Sequence, residues 1–250
     1  MDKKTVKKPE APAQKRAKEP KANQNICENL SFAAKEAFKR LRTNVAIFFA
    51  ENESERGNIL GITSASPSEG KSTVSINLAW SLAELGKKVL LVDADLRRPS
   101  VHTKINLDIH PGLRNLLSDM NSISAVIKPY PNSPEDMHFD IITAGDAEEN
   151  PSELLNSKRT ERLLQALAGA YDYVILDLPP VGTVIDAVSV SRNVDGMIVV
   201  LRENHCTRRD LTEAVEQLKF AGVNILGFVV NGALEGSGKK YQYKYGYGYY

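Results

Sequence analysis

Ser64-Ala65-Ser66-Pro67-Ser68-Glu69-Gly70-Lys71-Ser72-Thr73 is the stretch on which the reading of this chain turns. The apolar run 58–63 leads into it, and the helical pattern Val74-Ser75-Ile76-Asn77-Leu78-Ala79 leads out. Strand, loop, Gly-Lys-Ser and apolar helix in that order form a phosphate-binding loop: backbone amides and the helix N-terminus cradle phosphate oxygens. The usual first glycine is replaced by Ala65, which is harmless provided residue 65 does not need positive φ. Ser68, Glu69, Gly70, Lys71, Ser72 and Thr73 are therefore expected to bind a nucleotide. Lys71 would neutralise β and γ oxygens, and the Ser72 hydroxyl would ligate Mg²⁺.

Outward from the loop, short apolar runs alternate with helical patterns. The runs cover 58–63, 87–93, 139–143, 173–177, 196–201 and 225–230; helical segments are expected over 31–50, 71–85, 151–170, 186–192 and 207–221, with Ser31 as an N-cap. Continuous β-branched runs between amphipathic helices imply an α/β fold, a mainly parallel sheet with helices on both faces. In such sheets ligands sit beyond the carboxyl ends of the strands. Two further runs end there in carboxylates. Val89-Leu90-Leu91-Val92 closes in Asp93-Ala94-Asp95-Leu96-Arg97, and Tyr173-Val174-Ile175-Leu176 closes in Asp177-Leu178-Pro179-Pro180. Asp93, Asp95 and Asp177, with Ser72, suit Mg²⁺ better than zinc. The alternative is that one of Asp93 and Asp95 only caps or forms a salt bridge, with Arg97 as its partner. Asn231, after the last run, is a strand-end turn former or else resembles the asparagine that contacts adenine in the wider group of P-loop ATPases. Asp186 and Arg192 have no role in this reading.

Of 250 residues 42% are hydrophobic and 25% charged, a globular composition with enough length for one sizeable core. The net charge of +1 is unevenly placed. The first 24 residues carry +5 and the last 12 carry +3, which leaves −7 on the body and argues against a nucleic-acid groove. Two cysteines, Cys27 and Cys206, are too few for a disulfide framework and suggest a reducing compartment. No apolar stretch reaches the roughly 18 residues of a spanning helix, so a cytoplasmic protein is expected. The expected organisation is a disordered basic arm (1–24), one domain (25–232) and a flexible tail (233–250).

That tail holds six of the nine tyrosines: Tyr241, Tyr243, Tyr245, Tyr247, Tyr249 and Tyr250. A run of tyrosine, glycine and lysine has no aliphatic residues to pack with, so it presents phenols, which are phosphoryl acceptors. If the last strand is parallel to the others, the chain leaves it at the nucleotide edge. Ten extended residues, the distance from Asn231 to Tyr241, span at most about 35 Å.

The phosphate loop, Asp93-x-Asp95-x-Arg97, Asp177-x-Pro179-Pro180 and the terminal tyrosines together resemble the bacterial tyrosine kinases of capsule and exopolysaccharide synthesis, over roughly residues 30–250. The fold so implied is a P-loop NTPase of the partitioning-ATPase-like type. The partitioning ATPases themselves are the competing reading, a nucleotide-driven switch or scaffold whose tail only binds partners. Their signature lysine would stand where this chain has Ser66, and they lack a tyrosine cluster. The resemblance implies ATP and Mg²⁺ as cofactors and autophosphorylation of the tail between subunits of a ring. Lys71, Ser72 and Asp177 would bind nucleotide and metal, and Asp93 and Asp95 would be the catalytic carboxylates. It also implies an oligomerisation motif, here Glu36-x-x-Lys39-x-x-Arg42, in which lysine replaces the first arginine and forgoes bidentate pairing. A solvated helix face is the plainer reading of that stretch. Further implied partners are a separate transmembrane modulator that recruits the chain to the inner face of the membrane, a phosphotyrosine phosphatase, and sugar-nucleotide enzymes as substrates. A phenol with pKa near 10 needs a carboxylate to take its proton as it attacks, and Asp93 is the expected acceptor.

Overall fold

A computed structural model describes residues 26–50, 56–118, 122–131, 133–183 and 186–232. The expected basic arm (1–24), residue 25 and the tail with its tyrosine cluster (233–250) lie outside the described residues. In chain order the elements are α1 (Phe32–Ala50), β1 (Asn58–Ser64), α2 (Lys71–Ala83), β2 (Val89–Asp93), α3 (Val101–Ile105), α4 (Leu113–Ser118), β3 (Lys128–Pro129), β4 (Phe139–Ile142), α5 (Pro151–Leu155), α6 (Lys158–Ala168), β5 (Tyr173–Asp177), α7 (Asp186–Val190), β6 (Gly196–Arg202), α8 (Arg208–Phe220) and β7 (Ile225–Asn231).

The strands form one sheet in the order β3-β4-β2-β5-β1-β6-β7, parallel except for the short β3. β2 and β5 are buried from end to end, which is why they read as unbroken apolar runs rather than alternating ones. Successive residues feed opposite cores. Ile59, Leu90 and Val174 join Leu163, Leu167 and Leu218 on one face; Leu60, Leu91 and Ile175 join Ile76, Leu78, Leu82 and Phe49 on the other. Helices thus cover both faces, as expected. From β1 the chain moves one way to β2, and from β5 it moves the other way to β6. That reversal places a crevice over the carboxyl ends of β1 and its neighbours.

Two expectations needed correction. The helix read over 151–170 is two helices, because Ser157 leaves helical geometry and its side chain accepts from the Thr160 amide, capping a new start. The segment read over 186–192 is helical only to Val190 and finishes as a 3₁₀ turn. Phe32 opens α1 but is exposed, and the burial is carried by Val45 and Phe49. The short α3, α4 and antiparallel β3 carry too few residues for periodicity to announce them. Ser31 does accept from the Ala34 amide, as its N-cap reading requires. Both cysteines are free, and burial pushes the Cys27 thiol up to about 12.

Candidate active site

The phosphate loop joins β1 to α2 and turns on two left-handed residues, Ser68 (φ 64°) and Gly70 (φ 94°). Ala65 is not among the positive-φ residues, so the departure at the first glycine position costs no strain. Gly70 is the N-cap of α2 and offers no side chain to its free amides, and the first turn contains no acid. Those orphaned donors fit an anion. A Cβ on Gly70 would lie 1.9 Å from Asn231 Nδ2. Asn231 donates to the Glu69 carbonyl at 2.9 Å, which ties the end of β7 to the loop. The Glu69 carboxylate accepts from the Ser66 amide at 2.7 Å and so braces the loop from within.

The β2 and β5 carboxylates stand side by side: Asp93 and Asp177 are register partners on adjacent strands. Both are fully buried. Burial first, and then the neighbouring Asp177 charge, push Asp93 up to about 8. Burial raises Asp177 as well, against the pull of Lys71. For the Lys71 ammonium burial acts downward, but Asp177 and Asp95 outweigh it and hold the group above the ordinary lysine range. Lys71 Nζ donates to Asp95 Oδ2 at 2.8 Å in a nearly closed environment.

A cavity of about 500 Å³ opens above these groups, and its walls include Pro67, Gly70, Lys71, Ser72, Asp95, Arg98, Ser100, Lys104 and Pro179. Sequence reasoning missed Ser100, whose hydroxyl donates to Ser72 Oγ at 2.8 Å and whose amide donates to Asp93 at 3.2 Å. It also missed Ser75, which donates to Asp177 Oδ1 at 3.1 Å. No local signal marks either serine; only the fold brings residue 100 back beside residue 72. Arg97 is the partner of neither Asp93 nor Asp95. It pairs with Asp186 at 2.6 Å, and Asp186 also accepts from Ser152, so the aspartate left without a role fastens α7 to the exit of β2.

Among the described residues no three carboxylate, histidine or cysteine side chains cluster closely enough to hold a metal. The expected set of three aspartates is therefore not assembled as a cage: Asp95 turns to Lys71, and Asp93 is held by the Ser100 and Val101 amides. What remains fits Mg²⁺, which takes one or two carboxylates and leaves other positions to phosphate and water. Asp177 Oδ2 is buried without a hydrogen-bond partner, beside the Ser72 and Ser75 hydroxyls. Asp93 is also screened from the cavity, whereas Asp95 is on its wall.

On α1, Glu36 and Lys39 pair with each other at 2.7 Å on the surface. Arg42 instead turns inward, donating to the Ser81 carbonyl at 2.6 Å and approaching Glu84.

A family model described as an AAA domain matches residues 59–222. The chain is 37% identical to tyrosine-protein kinase YwqD of Bacillus subtilis over 83% of its own length and 85% of the relative's. It is 38% identical to tyrosine-protein kinase Etk of Escherichia coli over 86% of its length, but spans only 29% of that longer relative. The solved kinase domain of Etk superposes with a TM-score of 0.77 at 34% identity, covering 93% of this chain and 88% of that one. The septum site-determining protein MinD of Pyrococcus horikoshii, solved with Mg-ADP, superposes less closely, with a TM-score of 0.57 at 26% identity over 70% of each chain. A partitioning-ATPase-like sheet, a phosphate loop without the lysine at residue 66, and a kinase likeness that covers most of the chain agree: this protein belongs to the bacterial tyrosine-protein kinases.

Proposed function

We propose that the chain binds ATP and Mg²⁺ at the carboxyl edge of the sheet and transfers the γ-phosphoryl group to its own tail tyrosines, Tyr241 to Tyr250, in the service of capsular or exopolysaccharide synthesis. The observation that carries this reading is the bond from Asn231 to the Glu69 carbonyl. It starts the tail at the phosphate loop, and Tyr241 follows within about 35 Å of extended chain.

The amides of the loop and of the first turn of α2, Ser68 to Thr73, would hold the phosphates, and Asn231 stands at the edge of the same cradle. Ser72 and Asp177 would hold Mg²⁺, which supplies charge neutralisation between the phosphoryl oxygens. Lys71 leaves Asp95 for the phosphates when nucleotide enters, since phosphate offers it a stronger charge-assisted bond. That exchange frees the Asp95 carboxylate to face the incoming phenol. Asp93 keeps its expected place as proton acceptor only if the turn at 98–101 opens. With the cavity as it stands, Asp95 is the carboxylate that a phenol meets. Asp93→Asn and Asp95→Asn separate the two: the direct acceptor loses phosphotransfer while retaining nucleotide binding.

Glu36 and Lys39 are free to face a neighbouring subunit of a ring, with Arg42 holding α1 onto α2. Among the described residues no helix is long and apolar enough to cross a membrane. A separate transmembrane modulator would recruit and activate the chain, a phosphotyrosine phosphatase would reset it, and sugar-nucleotide enzymes would be further substrates. The test is incubation of purified chain with Mg-ATP and mapping of phosphate by mass spectrometry. Modified tail tyrosines support the kinase reading. Released phosphate with an unmodified tail would make the chain a nucleotide-driven switch.

A further inference from the structure

Ser100 is the N-cap of α3, yet its hydroxyl is not used as a cap. A serine at that position usually accepts from an amide in the first helical turn; here the side chain makes no such bond. Asp93 has taken over the task. One of its oxygens accepts from the Ser100 amide at 3.2 Å and from the Val101 amide at 3.1 Å, so the first amides of α3 are satisfied by the strand end beneath them. The Ser100 hydroxyl is thereby released for another partner. From the wall of the cavity it donates to Ser72 Oγ at 2.8 Å, across 28 residues of sequence.

A hydroxyl has one hydrogen to donate and two lone pairs to offer. At Ser72 the hydrogen goes to the Asp177 carboxylate, and one lone pair takes the hydrogen of Ser100. Two of the three directions are thus fixed, which fixes rotation about the Cβ–Oγ bond and leaves one lone pair over. Beside it, Asp177 Oδ2 is buried without a hydrogen-bond partner among the described residues. We infer that Ser100 is a positioning residue for the metal: it locks the Ser72 hydroxyl in the orientation that presents its remaining lone pair to Mg²⁺ next to Asp177. Ser100 can do so because its own place is set from below, by the two amide bonds to the buried Asp93.

This inference rests on the proposal that Ser72 and Asp177 hold the metal, and it is independent of phosphoryl transfer. Groups that orient a metal ligand from behind commonly change metal affinity by about 10- to 100-fold when removed. A single neutral hydroxyl belongs at the lower end of that range.

The experiment measures metal binding directly, in full-length protein saturated with ADP, by titrating Mn²⁺ and following the free ion by electron paramagnetic resonance. Ser100→Thr keeps the hydroxyl, and Ser100→Val keeps the shape of threonine without it and leaves no room for a substituting water. Ser100→Thr should bind Mn²⁺ within about twofold of the parent and Ser100→Val about tenfold more weakly. Both should keep the parental affinity for metal-free ADP and melt together, because the lost hydroxyl caps nothing. In a Ser72→Ala background, Ser100→Val should cost nothing further, since its effect runs through Ser72. Equal Mn²⁺ affinity of the Thr and Val variants overturns the inference. So does a loss of the same size with and without Ser72, or an equal loss of metal-free ADP binding, which would make Ser100 a general support of the loop. If Ser72→Ala alone leaves Mn²⁺ affinity at the parental value, Ser72 is not a ligand, and both the metal assignment and the inference built on it fall.

Discussion

Two ionic centres stand at opposite ends of the same strands and behave in opposite ways. At the amino ends, Arg56 donates to both oxygens of Asp195 at 2.7 and 3.0 Å, and Asp195 also accepts from the Ile59 amide at 2.7 Å. Every charge there has a partner of matched geometry. At the carboxyl ends, Lys71 faces Asp93, Asp95 and Asp177 with one direct ion pair among them, and Asp177 Oδ2 has none. Burial lifts both Asp93 and Asp177 above the ordinary carboxylate range. The difference teaches where function lies: one centre is satisfied by the protein itself, and the other leaves buried polar atoms waiting for a ligand.

The sharpest way to break this contrast is at the lysine. Lys71→Met should lower tail phosphorylation by on the order of 10³-fold or more, because phosphoryl transfer is mostly charge neutralisation and positioning. Quantitative phosphopeptide mapping at saturating Mg-ATP measures this, and a variant that retains a tenth of the parental rate would remove Lys71 from the reaction.

The second test uses proton linkage in the nucleotide-free protein. Burial and the adjacent Asp177 charge push the folded Asp93 carboxyl up to about 8, above its ordinary value of 3.8, so the native state favours the protonated form. Stability should therefore be greatest at low pH with respect to this group and fall as pH rises from about 4 to about 8. Asp93→Asn should flatten that slope in urea titrations run across the range. An unchanged slope would place the retained proton elsewhere.

Arg56→Ala probes the satisfied centre. It strips Asp195 of its cation and should cost about 1–3 kcal/mol of stability, while phosphotransfer per folded molecule stays at the parental level. A loss of activity without a loss of stability would contradict the contrast. The smallest effect is expected for Arg42→Ala, about 1 kcal/mol in the dilute monomer, through its bonds to Ser81 and Glu84. If the monomer melts unchanged while oligomers disappear on size-exclusion chromatography, Arg42 belongs to the interface instead.

Much of this site was legible in the chain because its parts are local. Asp93 and Asp177 end buried apolar strands, Asp95 follows two residues after one, and Lys71 and Ser72 open the helix after a short loop, so each is marked by the contiguous stretch around it. Pairings between such ends are not local. Ser100 reaches Ser72 only because α3 folds back over the loop, and Asp186 meets Arg97 across 89 residues of sequence. Arg42 looked like part of a surface motif until the packing of α1 on α2 turned it inward. The division of labour among the aspartates was equally hidden, since access depends on what lies above a carboxylate and not on which residue follows it.

By itself the sequence determined the α/β class, the phosphate loop, the acidic strand ends and a tyrosine-bearing segment within reach of them. These follow from periodicity and from the chemistry of short contiguous stretches. Only the tertiary structure decided that Asp93 stands beside Asp177 and shares its burial, that Asp95 and not Asp93 meets the cavity, and that Asn231 closes on the loop. Strand order and register set those outcomes, and both emerge from how two cores fill on opposite faces of one sheet.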